Sequence, residues 1–162
     1  MIIAICGFMG TGKSSFLKQF PEIKSIDLDL YIEQDKGSIA QLIRTEGFEV
    51  FRQIESKALK NAITQLSSGG LISLGGGSLD LMENIDLLKS LDVKILYLKN
   101  DFETCYTRIQ GDQNRPQLDK SKSDLEELFN KRAKIFESVC DVALVGDNKL
   151  WPTDWTLLKV LF

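Results

Sequence analysis

The sequence predicts an α/β fold, a parallel sheet with helices on both faces, and three observations carry that prediction. The pattern Gly7-Phe8-Met9-Gly10-Thr11-Gly12-Lys13-Ser14 follows the apolar run Ile2-Ile3-Ala4-Ile5-Cys6 and precedes a helical stretch. That is the strand–turn–helix order which a phosphate-binding loop requires. Apolar runs of strand length then alternate with helix-period segments, the signature of parallel strands joined by crossover helices. A length of 162 residues, 43% hydrophobic and 27% charged, suits a single domain over 1–162 with a real core.

Each element has its own signal. The first strand, 2–6, is a short uninterrupted apolar run, and the helix after the loop opens around 15–20. Lys24-Ser25-Ile26-Asp27 reads as a short strand leading into 29–33. Ser38-Ile39-Ala40-Gln41 is a capping box that starts a short helix ended by Gly47. A longer helix covers 49–66 and is closed by Gly69-Gly70. Leu71-Ile72-Ser73-Leu74 is a buried strand running into Gly75-Gly76-Gly77. A helix at 82–91 precedes the strand 93–98, and 102–109 is helical again. The polar stretch 111–122 has no periodicity and reads as a lid. Ser123-Asp124-Leu125-Glu126 reads as a second capping box, opening a helix to 139. A fifth strand at 142–145 and a last helix at 155–162 complete the chain.

Composition narrows the function classes. A net charge of −3 with scattered Lys and Arg lacks the basic footprint of a nucleic-acid surface. No apolar run reaches membrane-spanning length. The first strand begins at the initiator Met and leaves no room for a signal peptide, so a cytoplasmic location is expected. Three cysteines, Cys6, Cys105 and Cys140, are odd in number and lack C-x-x-C spacing, which suits small buried hydrophobes in a reducing compartment. The chain has no histidine, so neither a His base nor a His-ligated metal is available.

Five constellations carry chemistry. In the phosphate loop, glycines at 7, 10 and 12 let backbone N–H groups converge on an anion at a helix N-terminus. Lys13 would reach the outer phosphates, and the Ser14 hydroxyl would ligate Mg²⁺. Asp27 and Asp29, two apart in an extended segment, would leave the second strand on one side. One could hold Mg²⁺ through water while the other takes a proton from a hydroxyl; an acidic helix cap is the alternative. In the helix 49–66, Glu55 falls inside the stripe Phe51, Ile54, Ala58, Leu59, Ala62, Ile63 and Leu66, with Arg52 at its edge. A carboxylate among apolar neighbours needs a partner. Arg52 so held suits a substrate carboxylate, and a purely structural ion pair is the equal alternative. Arg132 replaces the apolar residue expected in the stripe of Leu125, Leu128, Phe129, Ile135, Phe136 and Val139. It would be either a second anion clamp or an arginine reaching back to solvent. Gly75-Gly76-Gly77 directly after a strand offers bare backbone to a ligand, or makes a wide turn.

Taken in order, the phosphate loop, Asp27-x-Asp29, Ile32-Glu33, Ser38-Ile39, Phe51-Arg52-x-x-Glu55, Leu74-Gly75-Gly76-Gly77, Arg115-Pro116 and Lys131-Arg132-Ala133 resemble the shikimate kinase family. The resemblance runs from residue 2 to about 145. It implies a P-loop NTPase-type five-stranded parallel sheet in the order 2-3-1-4-5 with a lid and a substrate-binding helical segment over about 29–66. It also implies transfer of the ATP γ-phosphoryl group to the shikimate 3-hydroxyl, giving shikimate 3-phosphate and ADP on the route to chorismate and aromatic amino acids. By that resemblance Asp29, Arg52, Gly75, Gly76, Gly77 and Arg132 hold shikimate. Gly10, Thr11, Gly12, Lys13, Ser14 and Ser15 hold the nucleotide phosphates with Arg115, and Arg108 lies against the adenine. Lys13, Asp29 and Arg115 act in catalysis, while Ser14 and Asp27 serve Mg²⁺. The expected partners are ATP and shikimate, with no nucleic acid and no membrane, and the protein is expected to be a monomer. Another small-molecule kinase on the same scaffold, a nucleotide-binding module without turnover and a structural protein remain the alternatives.

Overall fold

The computed structural model describes residues 1–110, 120–146 and 151–162. Strand β1 spans Ile2–Cys6, and its alternate side chains leave on opposite sides. Ile3 and Ile5 enter one core cluster with Phe16, Leu71 and Leu158, whereas Ala4 and Cys6 enter another with Ile72, Tyr97 and Phe136. An apolar strand covered on both faces belongs at the centre of a parallel sheet. β1 lies between β3, Gly70–Ser73, and β4, Lys94–Lys99. Ala4 pairs with Ile72 on one side and Ile95 on the other. β2, Ser25–Asp27, adds beyond β3, and β5, Val142–Val145, beyond β4. The five parallel strands therefore run in the order β2-β3-β1-β4-β5, as the resemblance implies.

Two helix starts differ from the sequence expectation. Helix α1, Lys13–Leu17, begins inside the phosphate loop at the Gly12 cap (φ 95°) and lasts five residues. The 15–20 segment read as its opening is instead its end, where turns at Gln19 and Phe20 run into Pro21, whose ring and missing N–H stop a helix. Helix α6 spans Lys122–Val139 and is capped by Ser121, which accepts from the Asp124 N–H, so Ser123 lies within the helix. Of the stretch 111–122 read as a lid, 111–119 lies outside the described residues, and Lys122 belongs to α6.

The remaining helices fall close to expectation. α2, Leu28–Lys36, follows β2 without a loop. α3 runs from Ile39 to Gln65 with Ser38 as its cap, and Gly47 (φ 88°, ψ 166°) breaks it into segments 39–46 and 48–65. A single 3₁₀ turn, Ser78–Asp80, comes after the glycine run and leads into α4, Met82–Ser90. α5 spans Phe102–Ile109 and α7 spans Trp155–Val160. The parallel order brings the carboxyl ends of β1, β2 and β3 to one edge. There the phosphate loop, the Asp27–Asp29 junction and the glycine run face one another, as ligand sites do in open α/β sheets.

Candidate active site

The phosphate loop is set by backbone that only glycine adopts easily. Gly10 and Gly12 have φ of +83° and +95°, and a Cβ at Gly10 would stand 2.6 Å from the Cys105 carbonyl oxygen. Thr11 is 2% exposed, and its hydroxyl donates to the Phe8 carbonyl at 2.9 Å, bracing the turn. Lys13 Nζ donates to the carbonyls of Gly7 (2.9 Å) and Phe8 (3.1 Å), which lays the ammonium across the loop. Because α1 is only five residues long, its contribution to an anion comes from the N–H groups of its first turn more than from a long dipole. Ser15 is exposed on the same turn. From α5, Arg108 Nη1 donates to the Gly10 carbonyl at 3.1 Å. Burial pushes the Cys105 thiol up to about 11 and the Cys6 thiol higher still, so both cysteines beside the loop are neutral at physiological pH.

Asp27 and Asp29 converge, but not through the extended alternation that the sequence suggests. Asp27 ends β2 and caps α2, accepting from the Leu30 N–H, while Leu28 and Asp29 are already helical. The strand has only three residues, too few to carry a period-two pattern past its end. The strand-to-helix corner instead turns both carboxylates to the same cavity. Ser14 Oγ donates to Asp27 Oδ2 at 2.6 Å, so the two residues expected to serve a metal are in direct contact.

Opposite stands a pair of arginines. Glu55 is 1% exposed on α3, as its place in the apolar stripe requires, and it pairs with Arg52 one turn away. Its second oxygen accepts from the buried Ser78 hydroxyl at 2.6 Å. Arg132 is 4% exposed and points inward from α6, which decides against the solvent-reaching alternative. Asp80 accepts from Arg132 Nε at 3.2 and 3.1 Å and from Nη2 at 2.8 Å, and lies 4.0 Å from Arg52 Nη2. A Cβ on Gly77 would collide with both guanidinium groups, and one on Gly75 would lie 2.5 Å from Glu55 and 2.9 Å from Asp29. Gly77 has φ −123°, so what demands glycine there is the approach of two arginines.

These groups line one cavity of about 300 Å³, the lower end of the range for small-molecule sites. Asp27, Asp29 and Glu33 form one wall. Arg52, Glu55 and Arg132 form the other, the glycine run the floor, and Ser14 the end nearest the phosphate loop. Ile39, Ile43, Phe48 and Phe51 from α3 add an apolar rim. Arg115 lies outside the described residues. Asp80 is the residue that the sequence reading missed. It sits 52 positions from Arg132, and no periodic stripe or motif marks it.

A family model described as shikimate kinase matches residues 9–152. A shikimate kinase of Dictyoglomus turgidum is 36% identical over 154 residues, covering 91% of this chain and 88% of the relative. One from Persephonella marina is 33% identical over 151 residues, covering 91% and 90%. Among solved structures, shikimate kinase from Acinetobacter baumannii in complex with shikimate superposes with a TM-score of 0.83 at 25% identity, covering 99% of this chain and 90% of that one.

Proposed function

The chain belongs to the shikimate kinase family, and from that premise we propose that its cavity holds shikimate while the adjoining loop holds ATP. The enzyme is a shikimate kinase: it moves the γ-phosphoryl group of ATP to the shikimate 3-hydroxyl, yielding shikimate 3-phosphate and ADP. One observation carries the assignment of roles. A buried Arg132, a partly buried Arg52 and the phosphate loop open onto the same cavity, with Asp29 on its wall. An acid with several hydroxyls, gripped at its carboxylate by Arg52 and Arg132, fits such a cavity with a hydroxyl toward Asp29.

The chemistry follows from positioning and charge. Lys13 exchanges its contacts to the Gly7 and Phe8 carbonyls for phosphate oxygens. Asp29 orients the attacking hydroxyl, the bond from its oxygen to the γ-phosphorus forms, and the bond from that phosphorus to the bridging oxygen of ADP breaks. The hydroxyl proton passes to the Asp29 carboxylate. Ser14 and Asp27 are hard oxygen donors in contact beside the loop, a donor set that fits Mg²⁺, which commonly takes one or two protein oxygens with substrate phosphates. Magnesium, when bound, supplies positive charge that neutralises the transferring phosphates. Arg115 is assigned to the phosphates, and Arg108, Thr11 and Ser15 to the nucleotide, on the strength of the motif resemblance. The same reading places the enzyme on the route to chorismate, acting in the cytoplasm as a monomer.

A coupled assay for ADP release with ATP and Mg²⁺ tests the assignment. Shikimate is expected to support turnover, while gluconate and nucleoside monophosphates are not. Turnover with a monophosphate but not with shikimate would overturn it.

A further inference from the structure

Glu55 accounts for how Arg52 is held, and Arg132 has a counterpart that the proposed mechanism does not use. We propose that Asp80 is a positioning residue for the acid clamp, fixing Arg132 by one edge so that its other edge serves the substrate carboxylate; this rests on the shikimate kinase reading above. Asp80 engages the Nε and Nη2 side of Arg132 through three contacts of 2.8–3.2 Å. Nη1 turns instead to the floor, 3.9 Å from where a Gly76 Cβ would lie. A guanidinium carries five N–H donors in a rigid fork, so an acceptor on the Nε side leaves the Nη1 donors for a ligand and fixes their direction. Arg132 lines the cavity, whereas Asp80 is not among its lining residues, which places the carboxylate behind the clamp.

The chain path makes this support rigid. Asp80 ends the 3₁₀ turn that follows the glycine run, so floor and support are one short piece of backbone. Asn84 Nδ2 donates to the Ser78 carbonyl at 2.7 Å and ties that turn to α4. The 4.0 Å approach of Asp80 to Arg52 couples the two arginines through one carboxylate. With Glu55 and Asp80 in place, two carboxylates offset two guanidinium groups before any ligand arrives. Affinity for the acid then depends on how the donors are aimed, since little surplus charge remains.

The test is steady-state kinetics of Asp80→Asn and Asp80→Ala, alone and with Arg132→Ala. Asp80→Ala is expected to raise the shikimate KM about tenfold, the scale of one charge-assisted hydrogen bond. Turnover number and KM for ATP are expected to stay within about twofold, as for a group acting on ground-state and transition-state binding alike. Asp80→Asn, which keeps one acceptor, should fall between wild type and Asp80→Ala, and it serves alone if the alanine variant does not fold. In the Arg132→Ala background, Asp80→Ala should add much less, because its main partner is gone and only the 4.0 Å approach to Arg52 remains. A lowered shikimate KM would instead make Asp80 a competitor of the substrate acid. An unchanged KM, or an undiminished loss in the Arg132→Ala background, would equally overturn the proposal. Wild-type enzyme inactive on shikimate would defeat the family reading itself; an active wild type with any of those results defeats only the role of Asp80.

Discussion

Replacing Arg52 with alanine should damage binding and stability at once, and the two effects can be separated. Glu55 is 1% exposed, with one oxygen on Arg52 and the other on Ser78. Without Arg52 that carboxylate keeps a single hydroxyl partner inside the core. Breaking a buried pair this way costs roughly 3–5 kcal/mol. The Arg52 side chain is 16% exposed, which lets water reach the vacated space and favours the lower end, about 3 kcal/mol. For a chain of this size that predicts a fall in Tm of roughly 6–12 °C. Shikimate affinity should fall as well, by about 1.5–3 kcal/mol for a lost charge-assisted bond, or roughly 10- to 150-fold in Kd. Adding Glu55→Gln removes the stranded charge and keeps an acceptor for Ser78, so the double variant should regain most of the Tm and none of the affinity. Thermal melts and calorimetric titration with shikimate, and with ATP as control, read both quantities. An Arg52→Ala protein that melts like wild type would refute the buried-pair reasoning, and one that binds shikimate normally would remove Arg52 from the clamp.

Three further expectations are simpler. Lys13→Ala should lower turnover at least ~10²-fold, the scale of losing one transition-state charge partner, with an unchanged melt; retention of half the activity would dismiss the loop assignment. Chelation should abolish phosphoryl transfer and Mn²⁺ should restore part of it, since both ions take oxygen ligands; turnover that persists in chelator would separate Ser14 and Asp27 from any metal role. Gly77→Ala should weaken shikimate binding and spare ATP binding in parallel titrations, because its Cβ lands on both guanidinium groups; normal shikimate affinity would show that the floor tolerates a methyl group.

The sequence disclosed what was contiguous or periodic. The phosphate loop is a single run between a strand and a helix. Glu55 betrayed itself as a carboxylate in an apolar stripe, and Arg132 as a cation where the stripe of α6 called for a hydrocarbon; both side chains are indeed buried. The order of the strands came with the family resemblance, because periodicity cannot say which strands are neighbours. Element starts were the less legible part. The sequence reads Ser123 as the cap of α6, whereas Ser121 caps it and Ser123 lies inside the helix. The pair Asp27 and Asp29 was placed on an extended segment because a three-residue strand gives no room to see the helix begin. Asp80 was invisible for a different reason: its meaning lies in a contact with Arg132 across the fold, and an aspartate at the end of a turn looks like ordinary surface.

The floor of the cavity has a consequence for anyone who would redirect this enzyme to another acceptor. At Gly75 and Gly77 any side chain would strike the charged side chains around the cavity, so neither end of the floor offers a place to write a new preference. Variation is easier on the apolar rim, where Leu30 from α2 and Ile43 and Phe48 from α3 line the cavity. Libraries aimed at those three positions would reshape the opening and leave the phosphate loop, the clamp and their supports intact. Diversity spent on Gly77 would return mostly proteins whose arginines have lost their aim.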